Sequence, residues 1–124
     1  MTNWTPDELA AIGDATELQL SSMRADGTLR PPVTIWVVRT DNELFVRSGY
    51  GRENPWFKRA QVRHQGTISA GGITRDVTFE EQGSQEDAAV SAAYHSKYDR
   101  FGKSNVDPMV SAIAAEATLK LLPR

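Results

Sequence analysis

The sequence predicts a mainly β (α+β) fold: a small six-stranded antiparallel barrel with flanking helices. Short runs rich in β-branched and aromatic residues recur along the chain, notably Val33 to Thr40, Glu43 to Ser48, Thr67 to Ala70 and Ile73 to Glu81. Three tight turn signals, Asp26-Gly27, Asp41-Asn42 and Gly71-Gly72, join such runs into antiparallel hairpins, because Asp, Asn and Gly accept the positive φ of these turns. Strands this short do not cover a core as an open sheet, and closing the sheet removes its exposed edges.

Thr5-Pro6-Asp7-Glu8 opens a short first helix: Thr5 caps it, Pro6 suits its first position and Glu8 completes a capping box. Leu9 and Ile12 are its apolar contacts, and Gly13 ends it. Glu17 to Met23 alternates loosely, with Leu18 and Leu20 on one side. Pro31-Pro32 keeps the approach to the next strand extended. Val33 to Thr40 carries β-branched residues on both faces, which places it centrally in the sheet. In the return strand, Leu44 and Val46 face opposite to Phe45 and Arg47. Asn54 caps and Pro55 starts a short helix running to Val62. Beyond Gly71-Gly72, Ile73, Arg75, Val77 and Phe79 share one strand face. Ser84-Gln85-Glu86-Asp87 opens a longer helix in which Val90, Tyr94, Tyr98 and Phe101 form an apolar stripe, and Gly102 stops it. One or two helical turns follow from Asp107-Pro108, and Ala117 to Leu122 forms a last strand ending at Pro123.

A length of 124 residues sets a single domain, residues 1–124, as the expectation. The 40% hydrophobic and 24% charged residues are ordinary for a soluble globular chain. A net charge of −2 excludes a global basic field for nucleic acid, so any anion site must be local. The absence of cysteine excludes disulfides, thiolate zinc sites and cysteine nucleophiles. Met1 to Glu8 has neither the basic nor the apolar region of a signal peptide, and no apolar run approaches the ~18 residues of a membrane span. The expectation is a cytoplasmic protein without a membrane partner.

Chemistry-bearing residues concentrate where the second hairpin strand ends, in Ser48-Gly49-Tyr50-Gly51-Arg52-Glu53-Asn54-Pro55-Trp56-Phe57-Lys58-Arg59. Glycines let backbone amides approach a ligand, a helix N-terminus favours an anion, and arginine forks suit phosphate. Ser48, Gly49, Arg52, Lys58 and Arg59 are therefore candidate phosphate ligands; the alternative is a structural turn followed by solvated charge. Arg39 and Arg47 join them only if their strand faces point into the same groove. Tyr50 lies in the loop and is a candidate ligand contact. Trp36 and Trp56 are large enough to stack on an aromatic ring; packing is the expected fate of Trp56, and Trp36 stays open between the two. His64 and His95 lack carboxylates at a convincing metal-ligand spacing and are expected at the surface. Walker, Rossmann and Gly-x-Ser-x-Gly patterns are all absent, so no catalytic side chain is expected.

Taken in order, these elements resemble the split β-barrel superfamily, the fold of pyridoxamine-phosphate-oxidase-like flavoproteins and deazaflavin-dependent nitroreductases. The likeness is closest to the nitroreductase branch. It is carried by Phe45-Val46-Arg47-Ser48-Gly49, Pro55-Trp56-Phe57, Gly66 to Ala70, Gly71-Gly72, Val77-Thr78-Phe79-Glu80 and Tyr98-Asp99-Arg100-Phe101-Gly102. It covers Val33 to Phe101 and, more weakly, the last strand. The resemblance implies a homodimer with a flavin-type cofactor, FMN or a deazaflavin, in a groove between protomers. It further implies a phosphate held by Ser48, Gly49, Arg52 and Lys58 or Arg59, with Arg39 or Arg47 from the strands, while Trp56 fixes the loop. The activity implied is an oxidoreductase passing a hydride to a small organic acceptor. The alternative is a non-catalytic barrel that carries a cofactor, a haem-like ring or another hydrophobic anion.

Overall fold

Seven strands form one antiparallel sheet in the computed structural model, which describes residues 4–82 and 87–124. They are β1 (Leu18–Ser22), β2 (Val33–Ile35), β3 (Val38–Thr40), β4 (Glu43–Arg47), β5 (Gln65–Ala70), β6 (Ile73–Glu81) and β7 (Thr118–Pro123), in the order β2-β1-β5-β6-β7-β4-β3. The two outermost strands are consecutive in the chain, with Ile35 ending β2 and Val38 starting β3. Three Cα steps span at most about 11 Å. The edges of a flat seven-stranded sheet would stand about 29 Å apart, at ~4.8 Å per strand. The sheet therefore curls until its edges meet at Trp36-Val37, which is the split in the barrel.

That crossing corrects two expectations. Seven strands replace six because Val33 to Thr40 is broken at Trp36-Val37, and both halves lie at sheet edges rather than centrally. The stretch is apolar on both sides because it packs on both. Val37 points into the barrel, while Trp36 and Val38 join a second layer outside it. The peptide groups of Val37 have no ladder partner, so side chains of helix α3 (Asp87–Tyr98) satisfy them. The Val37 N–H donates to the Tyr98 hydroxyl at 3.2 Å, and the Val37 carbonyl accepts from Lys97 Nζ at 2.7 Å and from the Tyr98 hydroxyl at 3.0 Å. Lys97 also reaches the Ala15 carbonyl, and Tyr98 the Thr16 carbonyl at 2.7 Å.

Turn chemistry sets the strand register. Gly71 (φ 57°) and Gly72 (φ 82°) form the two-residue loop between β5 and β6, and a Cβ at Gly71 would stand 2.2 Å from the Ala11 carbonyl oxygen. Asp41 takes φ 52° in the β3–β4 loop. Helix α1 (Pro6–Asp14) begins with the expected capping box: Thr5 Oγ1 accepts from the Glu8 N–H at 3.1 Å and the Thr5 N–H donates to the Glu8 carboxylate at 2.9 Å. It plugs one end of the barrel with Leu9 and Ile12, beside the inward residues Leu18, Leu20, Leu44, Val46, Ile68, Val77, Phe79, Leu119 and Leu121. Helix α2 (Pro55–Arg63) adds Trp56, Phe57 and Ala60 to that core. The outer layer joins Val38 and Phe45 to Val90, Tyr94 and Tyr98 of α3 and to Val106. Residues Ser84 to Glu86, expected to open α3, lie outside the described residues. After α3 come a 3-10 turn (Asp99–Phe101), α4 (Lys103–Val106), another 3-10 turn (Asp107–Val110) and α5 (Ala112–Ala115). Among the described residues no helix is long and apolar enough to cross a membrane.

On the outer face of β4, Arg47 is only 1% exposed. Its Nε donates to Thr118 Oγ1 at 2.9 Å, Nη1 to Ser91 Oγ and the Met109 carbonyl at 2.8 and 3.1 Å, and Nη2 to the Asp87 carbonyl at 3.2 Å. The Asp87 carboxylate stands 3.7 Å from Nη2. One guanidinium thus ties β4 to β7, to α3 and to the segment after α4. Replacing it by alanine leaves the buried Thr118 hydroxyl and the part-buried acceptors on Ser91, Met109 and Asp87 without their donor, for which a loss of about 1–3 kcal/mol is expected. Urea unfolding of Arg47→Ala measures it, and near-native stability would contradict this role.

Burial brings the Lys97 ammonium down to about 8 from the ordinary 10.5; Asp14 acts to raise it and Arg100 to lower it. The unfolded chain then holds a proton that the folded chain has released between about pH 8 and pH 10.5, so stability rises with pH in that window. Burial pushes the Tyr98 phenol up to about 12, and the Tyr94 phenol is also raised, mainly by burial. Above pH 10 the unfolded phenols ionise first, and stability falls. Chemical unfolding at pH 7.5, 8.5 and 9.5 should therefore show a rise in the native protein that Lys97→Met flattens, whatever the variant's absolute stability.

Candidate functional site

Two concavities meet at Trp56. The first is built by the β1–β2 connection, where the Asp26-Gly27 turn folds the chain back and Met23 bridges Leu29. The Asp26 carboxylate accepts from the Thr28 N–H at 3.0 Å and its hydroxyl at 2.7 Å, which fixes the turn. Arg24 and Arg30 flank it and come to the same side. Arg63 of α2 donates to the Ala25 carbonyl at 3.0 Å and docks the turn against that helix, beside Arg59. The resulting cavity of about 280 Å³ is lined by Arg24, Arg30, Arg59, Ser22, Leu20, Pro31, Pro32, Val33 and Trp56, with no carboxylate. Arg24 Nη1 is held by Thr28 Oγ1 at 3.2 Å and the Leu29 carbonyl at 2.9 Å. Arg30 Nε is buried without a hydrogen-bond partner, and the Arg59 guanidinium makes no bond to a described residue.

The second cavity, of about 410 Å³, shares Val33 and Trp56 with the first. Its walls are β2 from Val33 to Ile35 with the adjoining Trp36, Arg47 of β4, the loop residues Gly49, Tyr50 and Asn54, and Ser104, Asn105, Pro108 and Met109 from the helical segment after α3. Trp36 is held flat by Tyr98, with ring centroids 3.9 Å apart and planes 2° from parallel. Gly49 lies close under Met109, where a Cβ would stand 3.0 Å from the sulfur. Asn54 occupies the N-cap position of α2, yet its side chain makes no capping bond and lines the cavity instead.

The structure therefore brings together Arg47, Gly49, Tyr50 and Trp56 in one compartment, with Trp56 as the partition and Arg59 beyond it. Trp56 packs edge-on to Phe57 at 5.9 Å, as its expected packing role requires. Ser48 is fully buried and its hydroxyl has no partner; its backbone closes the turn through Ala117 and Gly51. Arg47 lines the second cavity, as its strand face allows, with four of its five N–H donors engaged by the protein. Arg52 turns away to the Glu116 carbonyl at 3.0 Å and the Glu81 carboxylate at 2.7 Å. Lys58 pairs with Glu53 at 3.0 Å on the surface. Arg39 lies at another face of the barrel, bonded to the Asp41 carbonyl at 2.7 Å and packed on Gly13. Proximity in sequence places cations near the loop, but their reach and the acceptors around them decide which face the groove.

Arg24, Arg30, Asn105 and Met109 are the site residues that sequence reasoning missed. For the arginines a signal exists: a hairpin turn at Asp26-Gly27 that sets Met23 opposite Leu29 puts Arg30 opposite Ser22, and Arg24, two residues from Ser22, shares that face. For Asn105 and Met109 there is none, since their placement depends on how the helical segment folds back. His64 ends α2 with φ 56° and His95 pairs with Asp99 at 2.9 Å on the surface; neither lines a compartment. No group of three or more histidine, cysteine or acidic side chains among the described residues is placed to hold a metal ion.

A curled antiparallel sheet with flanking helices is the fold that this chain shares with a group of cofactor-binding split-barrel proteins. A FAD-binding protein from Mesorhizobium loti aligns with a TM-score of 0.60 at 13% identity, covering 98% of this chain and 91% of that one. The haem-storage protein HutZ from Vibrio cholerae aligns at 0.61 and 14%, over 98% and 91% of the two chains. An F420 reductase aligns at 0.54 and 10%, over 94% and 90%. At these identities the likeness establishes the fold alone. No curated protein matches the sequence. The chain belongs to the DUF2255 family, described as an uncharacterised protein conserved in bacteria, whose model matches residues 8–121.

Because the Asn54 side chain forms no cap bond, Asn54→Ala should cost far less than the ~1 kcal/mol typical of losing an N-cap. Urea unfolding of that variant tests it; a full cap-sized loss would show that the amide is committed to the helix rather than open to the groove.

Proposed function

We propose that the protein binds a flavin-type cofactor, FMN or a deazaflavin, in the compartment between Trp36, Tyr50 and Trp56, and uses it to pass a hydride to a small organic acceptor. The observation that carries this reading is the chemistry of that compartment. Its volume of about 410 Å³ falls in the range of small-molecule sites, roughly 300–1,000 Å³. Its walls are aromatic and apolar, from Trp36, Tyr50, Trp56, Pro108 and Met109, and polar groups stand among them, neutral from Asn54, Ser104 and Asn105 and cationic from Arg47. A planar ring with a hydrogen-bonding edge suits that lining: flat faces meet apolar walls, and the edge meets amides that donate and accept. When bound, the cofactor supplies the hydride chemistry. The chain's own residues orient the ring, with Trp36 immobilised by Tyr98 and the amides fixing the edge, and keep water from it. No carboxylate or histidine lines the compartment, which fits chemistry that asks no acid or base of the protein. Relatives in fold that are named as FAD-binding and as an F420 reductase lend support.

The mouth of this compartment carries Tyr50, 83% exposed, and Ile113, 62% exposed, lies beside Gly51 of the same loop. A second copy of the chain covering this apolar rim is part of the proposal, so a homodimer is expected in sedimentation at micromolar concentration. Titration of the purified protein with FMN and with a deazaflavin should quench tryptophan emission as the ring enters. Tyr50→Ala removes an exposed aromatic contact worth about 0.5–1.5 kcal/mol and should weaken binding roughly twofold to tenfold. No quenching and no change in cofactor fluorescence with either compound would refute the reading. Turnover of the reduced cofactor with a dye acceptor then separates an oxidoreductase from a carrier.

A further inference from the structure

We infer that Arg24, Arg30 and Arg59, together with the Ser22 hydroxyl, form a separate anion site for a diphosphate group on the far side of Trp56. Three guanidinium groups line one cavity without a carboxylate among them, in a chain whose net charge is −2. Asp26 at the adjoining turn offsets part of the charge of Arg24; the remaining repulsion among the three cations is removed by an anion between them. Two further observations point to a ligand. Arg30 Nε is buried with no hydrogen-bond partner, although buried polar atoms are almost always paired. Ser22 is 5% exposed, lines the cavity, and its hydroxyl makes no bond to a described residue. Arg24 is already oriented by Thr28 and Leu29, so its fork loses little freedom when it binds.

Size and connection identify the class of anion. The cavity's 280 Å³ equals about nine water volumes at ~30 Å³ each, which accommodates two linked phosphoryl groups with room for bridging waters. Three guanidinium forks lining one cavity suit an anion that presents oxygens in more than one direction, as two linked phosphoryl groups do. The cavity shares Val33 and Trp56 with the ring compartment, so a ligand spanning both lays its ring on one side of the indole and its anionic linkage on the other. The site rests on the cofactor reading for the identity of the ring and changes its form: in place of FMN, with its single phosphate, a flavin joined through a diphosphate fills both compartments.

Inorganic diphosphate and inorganic phosphate, titrated into the native protein and followed by calorimetry, test the anion site without any flavin. Diphosphate should bind more tightly than phosphate, and binding should weaken as salt rises. Riboflavin, FMN and FAD, titrated by fluorescence, test the connection. Arg30→Gln and Arg59→Gln should each weaken diphosphate and FAD by about tenfold to a hundredfold, as expected for one charge-assisted hydrogen bond, and leave riboflavin unchanged. Arg59 is exposed and makes no bond to a described residue, so its variant keeps the test open should Arg30→Gln unfold. Diphosphate binding lost in these variants supports the anion site even if no flavin binds, in which case the ring reading fails alone. Equal losses for riboflavin and FAD, or no diphosphate binding by the native protein, would overturn the anion site.

Discussion

The two-residue crossing at Trp36-Val37 is the constraint on which the rest of the molecule depends. It joins strands at opposite ends of the sheet order, so the sheet curls. Its peptide groups lie outside every ladder, and a buried amide without a partner costs about 1–3 kcal/mol. The Tyr98 hydroxyl and the Lys97 ammonium supply what a neighbouring strand does not. This couples the last turn of α3 to the closure of the barrel. The same contact flattens Trp36 against the Tyr98 ring, which turns the crossing into one wall of the groove. Closure, helix docking and the shape of the candidate site are thus one local arrangement seen from three sides.

Arg47 does comparable work at the other wall. A buried cation on the outer face of a strand is destabilising unless its donors are satisfied, and here hydroxyls, carbonyls and a carboxylate from three other elements surround it. One of those acceptors is the carbonyl of Met109, whose side chain lies over Gly49. The position of the Pro108-Met109 wall is therefore set by a residue that spends four of its five N–H donors on the protein and keeps one at Nη2. Gly49 completes the fit by lacking the Cβ that would press on the sulfur.

Much of this fold was legible in the residues. Asp-Asn and Gly-Gly turns, the alternation of Leu44 and Val46 against Phe45 and Arg47, and the shared face of Val77 and Phe79 follow from local chemistry, and each appears as expected. The strand run from Val33 to Thr40 was misread because β-branched residues on both faces mean burial on both faces, and that arises in a central strand or in an edge covered by a helix. Which of the two holds depends on α3, some fifty residues later. The candidate site was legible only in part. Tyr50, Gly49 and Trp56 lie where a loop after a hairpin puts them, and Arg59 faces an arginine cavity that the loop itself does not form. Arg52 and Lys58 stand beside carboxylates, Glu81 and Glu53, that capture them, and Arg39 is turned to another face of the barrel. A count of cations along the chain does not register such captures, because they depend on acids from distant strands or on which way a side chain leaves the helix.

A barrel closed by a ladder has its girth fixed by register: each added residue shifts every pairing that follows. This one has a seam where β2 and β3 share no hydrogen bonds, and a short tether pinned to α3 by Tyr98 and Lys97 holds the margins together. The girth at the seam is therefore set by the tether and its pins rather than by a ladder. One residue more or fewer in the tether widens or narrows the opening beside Trp36 while the six existing strand pairings keep their alignment. On this plan the width of the opening and the pairing of the sheet are governed by different residues, the first by the Trp36-Val37 linker and the second by the ladders.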